Sequence, residues 1–327
     1  MSLNRMLALK NCVVLVLSLQ KRALATKANV VDNVLKEWTA KFEQAKIPEP
    51  ENSIQNIMAH IFNTTKIDDV TIVEKNTELT NDQITHLNKL CECRLARMPV
   101  QYIIKEWNFR DLTLKMTPPV FIPRSETEEL IDIITDKLES SNHTPTRMIE
   151  IGSGTGAITI SLLKHFPKLK AIAIDQSKHA CDLTEQNAVM HNVANQLQVF
   201  HAEIDSKGQV KNLQPDLLEQ KFDLVVSNPP YVPSLDIPKL EPEIALYEDI
   251  KALDGGHDGL NIIKPICVFG SNYLKPNGSI FLETNHDHLD KIKEWLGICG
   301  HHMKLKLVEN YKDFNNKDRF VELKLVE

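Results

Sequence analysis

From about residue 124 onward, short apolar segments alternate with helical patterns, and this alternation is the strongest constraint on the fold. Apolar runs of strand length, such as Phe222–Ser227, predict strands that are buried on both faces, as in a parallel sheet. The predicted strands are 148–151, 171–174, 197–200, 222–227 and 279–283; the predicted helices are 127–138, 157–165, 178–190, 260–273 and 289–296; an antiparallel pair at 304–308 and 320–326 ends the chain. This succession predicts a doubly wound α/β sheet over residues 123–327.

Two smaller segments precede this domain. Residues 28–98 repeat apolar side chains at helical spacing, for example at Val34 and Trp38, or at Leu87, Leu90 and Leu95, so we predict a small helical domain. Its eleven acidic and eight basic residues give a net charge of −3. Such a surface suits a basic protein partner better than phosphates, and we predict a substrate-recognition role. Residues 99–122 predict a linking β-hairpin with strands at 101–104 and 112–116.

The first 27 residues are basic, contain no acidic residue and include an apolar run, Cys12–Leu19, that is too short to span a bilayer. They fit a mitochondrial transit peptide, whereas a secretory signal peptide is the alternative. The six cysteines are scattered and lack zinc or redox spacing, which indicates reduced thiols and no metal site. We therefore predict a mitochondrial matrix protein without a membrane span.

A glycine-rich loop follows the first predicted strand of the α/β domain. Its residues, Gly152, Ser153, Gly154, Thr155 and Gly156, come directly after Glu150-Ile151. Glycines permit a tight turn and close approach of a ligand, and the following helix N-terminus favours anionic groups. Asp175 ends the next strand, where a carboxylate can accept hydrogen bonds from two ribose hydroxyls, although a helix N-cap is an equally simple role. The loop alone also matches a dinucleotide-binding pattern.

The sequence Asn228-Pro229-Pro230-Tyr231 follows the fourth predicted strand. Because each proline lacks an N–H and fixes its own φ, this corner is rigid and presents mainly acceptors: the Asn228 side-chain oxygen and backbone carbonyls. Acceptors at the carboxyl end of a strand suit a substrate NH2 group. Asn-Pro and Pro-Pro are also ordinary turn formers, so the motif gains its meaning from the glycine loop and Asp175.

Together these motifs match S-adenosylmethionine-dependent methyltransferases that act on an amide or amino nitrogen. More specifically, the chain resembles the HemK/PrmC family of peptide-chain release factor glutamine methyltransferases. The resemblance covers nearly everything after the leader and rests on ordered motifs: 97–103, 121–128, the glycine loop, Asp175, the Asn-Pro-Pro-Tyr corner and Arg319-Phe320. Two positions depart from the family: Ile204 stands after Glu203 where an aromatic residue is common, and Leu282-Glu283-Thr284-Asn285 lacks the usual glycine.

The resemblance implies a Rossmann-like methyltransferase domain whose substrate is the glutamine of a Gly-Gly-Gln motif in a class I release factor. It implies that S-adenosylmethionine binds the glycine loop, Asp175, Glu203 and Asn228. It also implies that the glutamine amide binds the corner, with Asn228, Pro229 and Tyr231 as the catalytic residues and Pro230 as a further contact. Arg124 and Thr127 border the cofactor on the same grounds, while Ser125 and Glu128 predict a helix N-cap and its capping box.

Two other functions remain open. An adenine-amino methyltransferase for DNA or RNA would use the same corner, but it needs a basic groove. The total charge is −6, the leader contributes +5 and the helical segment −3, so residues 99–327 carry −8, and we predict no direct nucleic-acid contact. A catalytically silent cofactor-binding partner of a release factor is the second alternative, and an intact Asn228 argues against it. We predict a monomer.

Overall fold

The computed structural model describes residues 29–64, 76–141 and 144–326. The predicted leader therefore lies outside the described residues. The chain divides into two compact units, residues 1–104 and residues 105–327. Within the described ranges, no helix is both long and apolar enough to cross a bilayer.

The first unit is helical, as the sequence predicts. Its helices are α1 (Val31–Gln44), α2 (Pro50–Ile61), α3 (Asn81–Leu95) and the short α4 (Val100–Ile104). Their apolar faces meet in one core that includes Trp38, Phe42, Ile57 and Leu87. Helix α3 begins with a capping box, because the Thr80 hydroxyl accepts from the Gln83 N–H while the Gln83 side chain accepts from the Thr80 N–H.

A buried arginine ties this unit together. Arg94 is 4% exposed and donates to the Ser53 hydroxyl and to the backbone carbonyls of Pro48 and Met98. The predicted apolar stripe on α3 is consequently wrong at its end, since Leu95 is 37% exposed and Arg94 takes the buried position beside it. Periodicity predicted Leu95 in the apolar stripe, but three oxygen acceptors satisfy the guanidinium of Arg94 and allow it to be buried instead.

The predicted first strand of the hairpin, 101–104, is also wrong. These residues form helix α4, in which Tyr102 and Ile103 are buried and Ile103 joins the core of the helical unit. The β-branched isoleucines favour a strand, but burial against the helices overrides this preference. The hairpin itself exists one segment later, as β1 (Glu106–Phe109) paired with β2 (Leu112–Lys115).

The second unit contains a seven-stranded sheet that confirms the predicted doubly wound architecture. Its strands are β3 (Arg147–Ile151), β4 (Lys170–Asp175), β5 (Leu197–His201), β8 (Phe222–Ser227), β9 (Leu274–Glu283), β10 (Leu305–Lys312) and β11 (Asp318–Leu325). In space they follow the order β10-β11-β9-β8-β3-β4-β5. The five strands from β9 to β5 are parallel, whereas β11 is antiparallel to β9 and to β10. The chain therefore reverses its winding direction between β3 and β8.

Helices cover both faces of this sheet. They are α5 (Ser125–Ser140), α6 (Ala157–His165), α7 (Lys178–Met190), α8 (Asp216–Glu219), α9 (Pro242–Tyr247), α10 (Ile263–Tyr273) and α11 (His288–Met303). Successive strand residues point to opposite faces, so Met148 and Val226 pack with α5 and α6, whereas Ile149 and Val225 pack with α10 and α11. A short pair, β6 (Glu203–Ile204) and β7 (Val210–Lys211), follows β5.

Candidate active site

The strand order places the candidate site at the carboxyl ends of β3 and β8. Ligands of doubly wound sheets bind in the crevice where the winding direction reverses, because the loops there separate to opposite faces. An open-mouthed cavity lies at this point. Its lining includes most of the predicted site residues: Gly152, Ser153, Gly154, Thr155, Asp175, Glu203, Asn228 and Pro230. Gly156, Pro229 and Tyr231 lie outside this lining.

The glycine loop is held by the neighbouring strand and by its own geometry. The Gly152 N–H donates to the Ile174 carbonyl over 2.8 Å, so the loop leaves β3 in contact with the end of β4. Gly152, Gly154 and Gly156 all have positive φ angles, which residues with a side chain rarely adopt. A Cβ at Gly156 would lie 3.0 Å from both Ile160 and Thr184, whereas a Cβ at Gly154 would have no atom within 4 Å. Gly156 therefore serves packing, and Gly154 keeps the cavity open.

Asp175 joins the glycine loop to the next helix. One carboxylate oxygen accepts from the Gly154 N–H over 2.9 Å, and the other accepts from the Ser177 N–H over 2.8 Å. Ser177, rather than Asp175, is the N-cap of α7, since its hydroxyl accepts from the Ala180 N–H. Burial raises the pKa of Asp175. Each oxygen retains a second acceptor position that a hydroxyl group can use.

Glu150 precedes the loop and is fully enclosed. Its carboxyl group accepts from the N–H of Thr159 over 3.1 Å and from the hydroxyl of the same residue. Burial is the main reason that the pKa of Glu150 is raised to about 8, so this group retains its proton at neutral pH. The acidic residue predicted next to the loop thus secures the start of α6 from beneath the cavity.

The far wall of the cavity is mainly apolar. Ile174, Ala202, Ile204 and Ile262 line it together with the exposed Glu203. Ile204 also packs into the sheet core. A flat heterocycle would therefore contact aliphatic side chains here. Among the described residues, no group of His, Cys, Asp or Glu side chains is arranged to hold a metal ion.

The Asn-Pro-Pro-Tyr corner leaves β8 beside the glycine loop. A Cβ on Gly152 would lie 4.0 Å from the Asn228 carbonyl oxygen, so the two loops are in contact. Asn228 Nδ2 donates to Thr127 Oγ1 over 3.1 Å. Within the described part of the chain, Asn228 Oδ1 accepts no hydrogen bond, and Asn228 is half-buried in the cavity wall. The corner thus offers the acceptor that the sequence predicted.

Thr127, which was expected to border the cofactor, and Glu283, for which no role was expected, hold this corner. Thr127, at 2% exposure, donates to Glu283 Oε2 over 2.7 Å, and Tyr231 donates through its hydroxyl to Glu283 Oε1 over 3.2 Å. Glu283 is 1% exposed, and burial is the largest cause of a pKa raised to about 7. A glutamate that ends an apolar strand next to β8 was the available sequence signal for this contact.

A third support is a segment with three glycines, 254–259, which sequence analysis missed. Val232 donates to the Leu253 carbonyl, and Gly255 donates to the Val232 carbonyl. A Cβ at Gly255 would approach Tyr231 Cα to 2.7 Å, so only glycine permits this backbone contact. The ring of Tyr231 also meets the buried His288 edge-to-face. Closely spaced glycines after the corner were the signal for this buttress.

The segment before α5 corrects two expectations. Arg124 is the N-cap residue and Ser125 is the first residue of α5, with its hydroxyl directed to Glu126, so the capping box predicted for Ser125 and Glu128 is wrong. The helix therefore starts one residue earlier than the capping box requires, and Arg124 forms an ion pair with Glu248 at 2.7 Å. Thr127 lines the cavity as expected, whereas Arg124 is turned toward Glu248.

A Rossmann-like sheet with a glycine loop, a carboxylate after the second strand and an acceptor-rich corner after the fourth defines an S-adenosylmethionine-dependent methyltransferase. Family models agree: the PrmC N-terminal domain matches residues 33–104, and the methyltransferase small domain matches residues 113–240.

Individual relatives show which family of methyltransferases this chain resembles. The chain is 36% identical over 296 residues to the human MTRF1L release factor glutamine methyltransferase, covering 89% of this chain and 86% of the relative. It is 31% identical over 269 residues to the release factor glutamine methyltransferase of Thermodesulfovibrio yellowstonii, covering 82% and 90%. The enzyme of that name from Caulobacter vibrioides is 30% identical, covering 88% and 95%. The chain belongs to the release factor glutamine methyltransferase family.

Proposed function

We propose that this enzyme transfers a methyl group from S-adenosylmethionine to the side-chain amide nitrogen of the glutamine in the Gly-Gly-Gln motif of a class I release factor. The substrate assignment is supported by the names of its relatives in human and bacteria. The observation that carries it is the side-chain oxygen of Asn228, which accepts no hydrogen bond from the residues that the structure describes and belongs to a residue lining the same cavity as the glycine loop and Asp175.

The cavity residues fit the cofactor. S-adenosylmethionine supplies an electrophilic methyl group and needs sites for a ribose diol, an adenine ring and an amino-acid end. Asp175 retains acceptor positions for hydroxyl groups, and Ile174 and Ile204 offer an apolar surface for the ring. The open space at Gly154 lets a ligand reach the backbone of the loop. Asn228 and Glu203 complete the proposed contacts.

The corner solves the main chemical difficulty, which is that an amide nitrogen is a weak nucleophile. Asn228 Oδ1 and the Pro229 carbonyl would accept the two amide hydrogens and direct the nitrogen toward the methyl carbon. Acceptors at this point also stabilise the positive charge that develops on nitrogen during transfer. Pro230 and the ring of Tyr231 flank the flat carboxamide, while the Tyr231 hydroxyl stays on Glu283. Alignment of this kind lowers a barrier by several kcal/mol.

A strong general base is not required. The nitrogen becomes acidic once it carries the new carbon, so its proton leaves to water after the transfer. This agrees with a corner built from neutral acceptors, in which the nearest carboxylate, Glu283, is occupied by two hydroxyl donors. The protein's task is thus to position and to exclude water.

Mass spectrometry of a release factor after incubation with the enzyme and the cofactor tests this proposal. We expect the mass of one added CH2 group on the Gly-Gly-Gln peptide. The control substrate carries Asn in place of that Gln, which keeps the amide but shortens its reach, and should stay unmodified. An oligonucleotide duplex forms a third arm. Methylation of adenine in that arm, without methylation of the release factor, would establish the alternative function instead.

A mitochondrial location is proposed from the leader, which contains five basic and no acidic residues before residue 28. A fluorescent fusion of residues 1–27 should colocalise with mitochondria, and the same fusion with Arg22 and Lys27 changed to Glu should not. Import of the charge-reversed leader, or secretion of the native one, contradicts the proposal.

A further inference from the structure

The corner is connected to two other parts of the chain by a continuous hydrogen-bonded relay. Glu283 at the end of β9 accepts from Thr127 in the first turn of α5, and Thr127 accepts from Asn228 after β8. Glu283 and Thr127 are almost completely buried, whereas Asn228 reaches the cavity. The relay therefore runs from the protein interior to the proposed position of the substrate nitrogen.

The direction of each hydrogen bond follows from the chemistry of its groups. A carboxylate only accepts, so the hydroxyl of Thr127 must give its proton to Glu283. The Thr127 oxygen is then left as an acceptor, and it takes a proton from the Asn228 NH2 group. With Nδ2 committed to Thr127, Oδ1 of Asn228 points the other way. Reversing the amide would place Oδ1 against the Thr127 oxygen and Nδ2 against the substrate NH2 group, which is unfavourable at both ends.

We infer that Thr127 and Glu283 are positioning residues, which fix the side-chain amide of Asn228 so that its oxygen, and not its NH2 group, faces the substrate nitrogen. The inference rests on the proposed function of the corner, and it adds a reason why the corner binds a substrate NH2 group. An unlocked asparagine can present either end, and only one end accepts from a carboxamide. The relay also explains why a buried glutamate and a buried threonine lie behind the acceptor site, with Thr127 in contact with Asn228 and Glu283 acting through Thr127.

The test replaces Thr127 with Val, which has nearly the same shape but no hydroxyl, and with Ser, which retains the hydroxyl. For Thr127→Val we expect kcat to fall roughly tenfold to hundredfold, with the KM for the release factor and the affinity for S-adenosylhomocysteine within about threefold of wild type. Thr127→Ser should restore kcat to within about threefold of wild type. A purely structural role would instead lower the melting temperature and weaken cofactor binding along with kcat.

A matched control is available on β9, the strand that also carries Glu283. Ser279 donates to Glu322 over 2.9 Å, and both residues are buried, so Ser279→Ala also removes a hydroxyl from a buried carboxylate. This variant should lose stability but keep kcat. Side-chain amide NMR of the protein without cofactor gives an independent signal: the Asn228 NH2 protons, identified by their loss in Asn228→Asp, should exchange with water faster in Thr127→Val.

The possible outcomes separate the two proposals. Unchanged kcat and unchanged Asn228 exchange in a folded Thr127→Val protein overturn the relay and leave the proposed function intact. Failure of the wild-type enzyme to methylate any release factor overturns the proposed function, whereas the NMR exchange experiment still decides whether Thr127 holds Asn228. A fall in kcat that Thr127→Ser does not restore also contradicts the relay, because the hydroxyl is its essential element.

Discussion

Asn228 divides its two polar atoms between the protein and the cavity. Its NH2 group is bonded to Thr127, and its oxygen faces the space that Gly152 and Pro230 also line. The neighbouring prolines contribute no N–H, so the immediate surroundings of that oxygen contain few competing donors. A single amide oxygen in such a setting discriminates for a substrate that brings its own N–H groups.

Removing this oxygen should separate catalysis from cofactor binding. Asn228→Ala is expected to lower kcat about a hundredfold, the size of effect seen when one group that stabilises developing charge is removed. The affinity for S-adenosylhomocysteine should fall by less than about tenfold, because the glycine loop and Asp175 remain. Turnover assays and isothermal titration calorimetry measure the two quantities. Near-normal turnover with a release factor would refute the role of Asn228.

The pH dependence of turnover should report the state of Glu283. Its pKa is raised from 4.5 to about 7, chiefly by burial, while the hydrogen bond from Thr127, the charge of Arg319 and the hydrogen bond from Tyr231 oppose the rise and Glu126 adds to it. Below this pKa the carboxyl group carries a proton, and one of its two hydroxyl partners loses its acceptor. The value of kcat should therefore fall as the pH drops through about 7.

Glu283→Gln provides the matched comparison for this profile. The variant keeps an acceptor oxygen but cannot titrate, so the inflection near neutral pH should disappear. Stability should show the opposite sign: the folded state binds the proton more tightly, so the contribution of Glu283 to the free energy of unfolding declines as pH rises from 4.5 to about 7. An inflection that persists in Glu283→Gln assigns the titration to another group.

At the scale of elements, β8 determines where the corner lies. All six residues from Phe222 to Ser227 are buried, and the Ser227 hydroxyl donates to the Ile151 carbonyl just before the glycine loop. At the other end, Asp223 accepts from the Thr146 N–H and hydroxyl, from the Arg147 N–H and from Lys275. The strand that delivers Asn228 is thus anchored at both ends to β3 and its preceding loop.

Loss of the Asp223 carboxylate should destabilise the sheet. Asp223→Ala leaves the part-buried backbone N–H groups of Thr146 and Arg147 and the Thr146 hydroxyl without their acceptor, at a cost of about 1–3 kcal/mol in the free energy of unfolding. Urea denaturation with and without S-adenosylhomocysteine measures this cost. Lys275→Ala removes only the partly exposed partner of the same pair and should cost less than about 1 kcal/mol. Equal costs for the two variants would contradict this account.

Two glycines of one loop should respond differently to the same substitution. Both need a positive φ, so Ala at either position costs about 1 kcal/mol or more in backbone strain. At Gly156 the added methyl also meets Ile160 and Thr184, so we expect the larger fall in melting temperature there. At Gly154 the methyl enters the cavity, so we expect the larger loss of S-adenosylhomocysteine affinity. The reverse ranking in either measurement would contradict these roles.

The parts of the site that sequence predicted are those encoded by contiguous residues. The glycine loop, Asp175 and the Asn-Pro-Pro-Tyr corner each follow an apolar strand, and parallel strands bring their carboxyl ends to one edge. The relay joins residues 101 and 156 positions apart in the chain, so the glutamate at the end of its apolar strand signals one member, but no local pattern reveals its connection to Thr127 and Asn228. The strand prediction for residues 101–104 was wrong for a related reason. Packing of Ile103 in the helical core, and not the strand propensity of these residues, determines that they form a helix.

At the scale of the whole molecule, acidic charge is spread over both units. The helical segment carries −3 and residues 99–327 carry −8, which disfavours a polyanionic substrate and suits a basic protein. The exposed Glu43 and Glu92 contribute to this charge on the helical unit. Surface charges of this kind act mainly on association, since water and salt weaken their contribution to a static complex.

Substrate recognition by the helical unit can be tested through this charge. Reversing it with Glu43→Lys and Glu92→Lys together should raise the KM for the release factor about threefold to tenfold, leave kcat near wild type and leave S-adenosylhomocysteine affinity unchanged. In the wild type, the same KM should rise as salt increases from roughly 50 to 300 mM, because screening weakens attraction between exposed charges. The control, Glu294→Lys on the exposed side of α11, alters the net charge without altering the helical unit. An equal rise in KM for the control would show that the effect comes from the overall charge. A KM that changes neither with salt nor with the Glu43 and Glu92 reversals would show that the helical unit does not recognise the substrate electrostatically.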